Sequence, residues 1–268
     1  MTSPLRHALD LVSYAATRRS HDRHDASTVA DLMVEPSDLG LPPGLEVRWL
    51  GVAGFALSYR GTTVLIDPFV SRVPMADMMK RRALVPSRAL IDAWVPRADA
   101  VLVGHTHFDH ALDTPEIARR DGATVYGSSS AEQLMRVYGL ADQAVTVEAH
   151  RTYEIGPFEV SFVPSVHSKL VLGRKVNQGG ELTCEHVGDL TPKAYNCGQV
   201  WGIHIAVGGA TLYHQGSADL IDDELSHRQV DVMLCGVAGR SFTPRYVERI
   251  LPRLEPRTVV VTHHDDFF

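Results

Sequence analysis

Asp99-Ala-Val-Leu-Val-Gly104-His105-Thr106-His107-Phe108-Asp109-His110 is the stretch that decides the reading of this chain. The apolar, Val-containing run 99–104 has the character of a buried strand. The polar residues after it therefore fall at a strand's C-terminal end, where α/β proteins build their sites. If the backbone stays extended from His105 to His107, period-two alternation points both imidazoles the same way and lets them share one ion. Asp109 and His110 follow a turn, face away from that ion, and offer a carboxylate and an imidazole to a second. Imidazole plus carboxylate suits zinc, with manganese and iron as alternatives, and does not favour calcium or magnesium. The competing reading is a solvated loop that gathered some of the chain's 14 histidines by chance. Four donors within six positions, directly after a strand, argue against it.

The His-x-His-x-Asp-His run at 105–110 resembles the signature of the metallo-β-lactamase fold superfamily. That resemblance assigns roles to residues further along. Asp67, closing Thr63-Val-Leu-Ile-Asp67-Pro68, orients a metal-bound histidine. His167, after Phe162-Val-Pro-Ser-Val, is the third ligand of the first metal. Asp219, in Leu212-Tyr-His-Gln-Gly216-Ser-Ala-Asp219, is the carboxylate that bridges both metals, and His263 is the last ligand of the second. His263 is chosen over His264 because Phe267 then completes the family's His-x-x-x-Phe ending. One departure is plain: relatives often read Gly-Asp-Thr where this chain has Gly216-Ser217-Ala218. The run Val47-Arg-Trp49-Leu-Gly51-Val-Ala-Gly54-Phe55, with Leu65-Ile-Asp67-Pro68-Phe69, is similar to the branch holding L-ascorbate-6-phosphate lactonase and N-acyl-phosphatidylethanolamine phospholipase D.

The resemblance implies an αββα sandwich over residues 45–268, preceded by a helical or loop appendage at 1–44. It also implies a dinuclear hydrolase. Two divalent transition-metal ions, zinc first and Mn2+ or Fe2+ otherwise, would activate a bridging hydroxide against a lactone, ester or phosphodiester. Asp109 or Asp219 would relay the proton to the leaving group. No Gly-x-Ser-x-Gly elbow and no convincing Cys-His pair supplies a protein nucleophile instead. His214, Arg240 and His264 are candidate contacts to a small, anionic substrate, each with an ordinary structural role as the alternative. The rival functions are a catalytically silent metal-binding module and a diiron oxidoreductase on the same fold. Relatives of the latter kind usually carry Glu where this chain has His107.

Composition bounds these readings. The chain has 268 residues, 44% hydrophobic and 22% charged, which suits one catalytic domain with a large core. A net charge of −6 argues against a polyanion-binding surface, and so against the nucleases that share the signature. Cys184, Cys197 and Cys235 form no Cys-x-x-Cys pair, so unpaired thiols are expected. The N-terminus lacks a signal peptide's apolar core, and no stretch is long and apolar enough to span a membrane, which points to the cytoplasm.

Pattern alone gives α/β. Strands are expected at 46–51, 54–59 and 62–66, with Arg60-Gly61 as a hairpin turn, then at 123–126, 144–148, 153–164, 200–207 and 210–214. Thr114-Pro115 and Gly122 bracket a helix, and Thr243-Pro244 opens another between strands 230–235 and 257–262. Segment 169–199 is a candidate lid or substrate loop, with a plain surface insertion as its equal. Residues 72–97 hold six basic residues against two acidic ones, beside Met75, Met78 and Met79. Such a helix suits an anionic headgroup or a membrane surface, although a solvated face over a packed stripe is the commoner arrangement. The sequence ends five residues after His263, so a trimmed terminus or a second subunit, as in a homo-oligomer, is expected to cover that ligand.

Overall fold

The computed structural model describes residues 39–74, 82–169, 178–226 and 229–265. Several expectations lie outside them: the appendage helix, the Met75–Arg81 run, part of the 169–199 segment, and Phe267. The chain divides into two units, Met1–Leu41 and Pro42–Phe268, and every strand and helix described belongs to the second.

Twelve strands build two six-stranded sheets. The first runs in chain order: β1 (Glu46–Gly51), β2 (Gly54–Tyr59), β3 (Thr62–Ile66), β4 (Ala100–Leu102), β5 (Thr124–Gly127) and β6 (Ala144–Thr146). β1 to β3 pair antiparallel, and β3 to β6 parallel. Between β2 and β3, Arg60 (φ 49°) and Gly61 (φ 83°) are both left-handed. That is what a two-residue hairpin turn matching the strand twist requires. The parallel pairs need crossovers, supplied by α1 (Arg88–Trp94), α2 (Phe108–Ala111), α3 (Thr114–Asp121) and α4 (Ser129–Val137). α3 opens with Pro115 in its first turn and stops at Gly122, φ 72°.

The second sheet is ordered β12-β11-β10-β9-β8-β7, from β7 (Thr152–Ile155), β8 (Phe158–Ser165), β9 (Val200–Val207), β10 (Ala210–Gln215), β11 (Val232–Gly236) and β12 (Thr258–Thr262). The helix α5 (Tyr246–Leu254) carries the chain from β11 to β12. The run expected as one strand over 153–164 is instead the hairpin β7–β8. Gly156, at φ 54°, and the N–H-less Pro157 break the ladder there.

Strand alternation sorts the core. On the first sheet Ala56, Leu65, Val101 and Val125 pack with Ile91, Ile117 and Leu134 of the helices. Their neighbours Phe55, Leu57, Val64, Ile66 and Leu102 are equally buried and point the other way, toward the second sheet. Val163, Tyr213, Met233 and Cys235 of the second sheet pack under Tyr246, Ile250 and Leu254 of α5. Phe55 meets His214 edge-on at 6.0 Å across the sandwich. The result is the expected αββα arrangement of layers. Among the described residues, no helix is long and apolar enough to cross a membrane.

Candidate metal centre

The strand ends of both sheets meet at one edge. Past β4, Val103 N–H donates to Tyr126 and Gly104 N–H to Asp67 Oδ1 at 2.6 Å. A Cβ on Gly104 would lie 2.9 Å from Asp67 Oδ2, so this approach admits only glycine. Thr106, fully buried, is gripped from both sides: its N–H donates to the Cys197 carbonyl at 3.0 Å and its hydroxyl to Asn196 O. This grip sets the alternation of His105 and His107. His107 then caps α2, placing Asp109 and His110 in the helix's first turn.

Three groups of donors result: His105, His107 and His167; Asp67, His105 and His110; and Asp109, His110 and His263. In the first, ring centroids lie 4.8 Å (105–107), 4.9 Å (105–167) and 4.5 Å (107–167) apart. His167 Nδ1 donates to the Ser168 carbonyl at 2.7 Å, which leaves the Nε2 lone pair for a ligand. Burial, reinforced by His110, His107, His167 and His263, holds His105 well below the ordinary imidazole range. Burial and then His107 bring His167 down to about 3. Both are therefore neutral imidazoles with lone pairs to offer.

The Asp109–His110–His263 group differs in charge. Burial alone would raise Asp109, but His110, His263 and His107 outweigh it and hold the carboxyl well below its usual range. Burial would lower His110, but the carboxylates of Asp67 and Asp109 raise it. Asp67 Oδ2 accepts from His110 Nδ1 at 2.8 Å, which turns Nε2 inward. With Oδ1 on Gly104, both oxygens of Asp67 serve to orient.

Ions fit these groups on two observations. Separations of 3.2 Å (His110 Nε2 to His263 Nε2), 3.4 Å (His263 Nε2 to Asp109 Oδ2) and 3.7 Å (His110 Nε2 to Asp109 Oδ2) form a triangle. A tetrahedral ion with ligand bonds of about 2.0–2.1 Å needs edges of roughly 3.3–3.4 Å. In the other group, His105 Nε2 is buried without a hydrogen-bond partner among the described residues. A cation would satisfy it.

His263 reaches its place through a turn with φ 58°, a costly conformation for a residue other than glycine. Val52 holds that turn. Its carbonyl accepts from His263 N–H and Thr262 Oγ1, both at 2.9 Å, and its own N–H lies 3.0 Å from each oxygen of Asp265. Asp265 in turn meets Arg72 at 3.3 Å. The clasp was not legible, because Asp265 offers only one more acidic residue in a polar run.

Asp219 stands apart from these donors. Its carboxylate lies 3.2 Å from the Arg249 guanidinium and accepts Leu220 N–H at 2.9 Å, and it belongs to none of the three groups. The turn Gly216-Ser217-Ala218 carries the chain past the donors before Asp219 arrives. His214 is interior, with Nε2 donating to Ala53 O at 2.8 Å. His264 is exposed and stacks on Trp49 at 5.6 Å. Arg240 is exposed on the loop after β11, whose Ala238 carbonyl accepts Ser168 Oγ at 3.3 Å beside His167. The described part of the expected lid is anchored at a few points, with residues 185–189 exposed between them: Leu182, Leu190 and Tyr195 join the core, while Asn196 and Cys197 hold Thr106.

A family profile described as a β-lactamase superfamily domain matches residues 46–263. A UPF0173 metal-dependent hydrolase of Anaeromyxobacter sp. (strain K) is 31% identical over 83% of this chain and 75% of its own. Among solved structures, Igni18, a metallo hydrolase of the archaeon Ignicoccus hospitalis, aligns with a TM-score of 0.51 at 20% identity, covering 84% of each chain. CmlA, a diiron β-hydroxylase of Streptomyces venezuelae, aligns at 0.55 and 17% identity, over 84% of this chain and 45% of its own. At such identities these two structures speak for the fold. With the profile and the Anaeromyxobacter relative, the donors gathered at the strand ends lead to one assignment: the chain belongs to the β-lactamase superfamily and, within it, to the UPF0173 metal-dependent hydrolases.

Proposed function

We propose that this hydrolase cleaves an ester-type bond, in a lactone, ester or phosphodiester, of a small anionic molecule. The observation that carries the proposal is the pair of adjacent three-donor groups at one edge of the sandwich. His105, His107 and His167 hold one divalent transition-metal ion, zinc or else manganese or iron, and Asp109, His110 and His263 hold another. Such ions supply Lewis-acid polarisation of the scissile carbonyl or phosphoryl group and activation of water near neutral pH. Asp67 keeps a proton on His110 Nδ1, so that Nε2 stays a donor of electron density. Asp109, whose side chain is 13% exposed, relays a proton toward the leaving group in this reading. Arg240, exposed on the loop whose Ala238 carbonyl accepts from Ser168 Oγ, draws the anionic substrate in. The unpaired thiols Cys184, Cys197 and Cys235 suit a cytoplasmic setting.

Elemental analysis of chelator-free protein, with hydrolysis of a panel of lactone, ester and phosphodiester chromogens, tests this. Bound transition metal with chelator-sensitive turnover of one bond class is the expected result. A chain that binds no divalent ion even after reconstitution would overturn it.

A further inference from the structure

We infer that the two donor groups share no protein ligand and fill unequally, one ion held firmly and the second taken up only at higher concentration. The inference rests on the proposed two-ion site. The groups His105–His107–His167 and Asp109–His110–His263 have no member in common. Among their six residues only Asp109 is a carboxylate, so five imidazoles and a single carboxylate face two divalent ions. Like charges this close are costly unless an anion lies between them.

The backbone that runs between the groups is Gly216–Ser217. A Cβ at Gly216 would lie 2.9 Å from Asp67 Oδ2 and 3.4 Å from His110 Cε1, on the side of the second group. Ser217 Oγ accepts Ser168 N–H at 2.9 Å, on the side of the first, next to His167. Ser217 is buried. The position where a carboxylate would reach both ions therefore carries a neutral hydroxyl already occupied by a backbone donor. The nearest acid along the chain, Asp219, is spent on Arg249, which also pairs with Asp222. Asp219 is a structural anchor between the β10 turn and α5, not a bridge.

The test titrates the full-length, chelator-stripped protein with zinc alone, in competition with a chromogenic chelator. The wild type should show two binding events separated by more than about tenfold, as expected for coupling between adjacent sites. Asp219→Asn should leave both affinities within about twofold of wild type while lowering Tm. Ser217→Asp should tighten the weaker event by at least about tenfold, and Ser217→Asn, of the same shape without the charge, should not. A single cooperative two-ion event in the wild type, or loss of an ion in Asp219→Asn, would overturn the inference while leaving the hydrolase proposal standing. Failure to bind any zinc would instead sink the proposal beneath it.

Discussion

The two donor groups are built alike and held differently. Each takes two residues from the loop after β4 and one histidine from the second sheet. In the first group the remote donor, His167, leaves the long strand β8 and is steadied by the adjacent Ser168 carbonyl. In the second the remote donor, His263, follows edge strand β12 in a left-handed turn, steadied from a distance by Val52, Asp265 and Arg72. The first group is made of imidazoles alone, whereas the second has Asp109 within it and Asp67 behind it. The remote histidine of one group rests on its neighbouring carbonyl, that of the other on long-range ties and charge, so the two should fail under different insults.

The largest effect should come from breaking either group outright. His107→Ala and His263→Ala should each lower kcat/KM by at least about a thousandfold, or about 4 kcal/mol of transition-state stabilisation, while circular dichroism shows the fold retained. Full activity in either variant would mean its group does no chemistry. Asp67→Asn separates the groups more finely. It removes the anion that sets the His110 tautomer and should weaken ion binding at the second group by about 10–100-fold, with the first group unchanged in the same titration. Parallel weakening of both would show that Asp67 supports the whole loop through Gly104.

Asp265→Ala tests the distant clasp. Losing the charged acceptor of Val52 N–H should cost about 1.5–3 kcal/mol of stability by denaturant titration and weaken the second ion selectively. A stability loss with both ions equally affected would reduce the clasp to ordinary scaffolding. The smallest effect concerns pH in the metal-free protein. His167, lowered to about 3 in the fold, stays neutral where the unfolded chain takes up a proton. Its contribution to stability is thus complete above about 6.5 and is lost as pH falls from there toward 3, at up to about 1.4 kcal/mol per pH unit. His110, raised by its carboxylates, works in the opposite sense: it favours the fold at low pH and loses that contribution as pH rises through its folded value. His167→Gln should therefore flatten the acid side of the Tm profile, and an unchanged slope would contradict the burial argument.

The loop from β4 to α2 was legible because everything it needs is local. Period-two alternation pairs His105 with His107, and the start of a helix turns Asp109 and His110 to another side. The Arg60-Gly61 turn and the Gly122 stop were legible for the same reason: their backbone demands are met by the residues present. Three features were not. A glycine and a proline inside a strand-like run hid the β7–β8 hairpin. The polar, glycine-bearing 169–199 segment suggested a lid, and gave no sign that Leu182, Leu190 and Tyr195 would tie its described part to the core. Asp219 looked like a ligand by order along the chain, and the Arg249 ion pair draws it elsewhere.

By itself, the sequence determined the α/β class and the four-donor loop, because hydrophobic periodicity and strand-to-helix geometry act over a few residues at a time, while the αββα layering was implied by the family resemblance. Only the tertiary structure decided which distant residues join that loop. His167 and His263 arrive, and Asp219 does not, because the register of β8 and β12 and the turn after β10 set side-chain positions to within ångströms. Residues more than fifty positions apart encode such distances only through the packing of the whole sandwich.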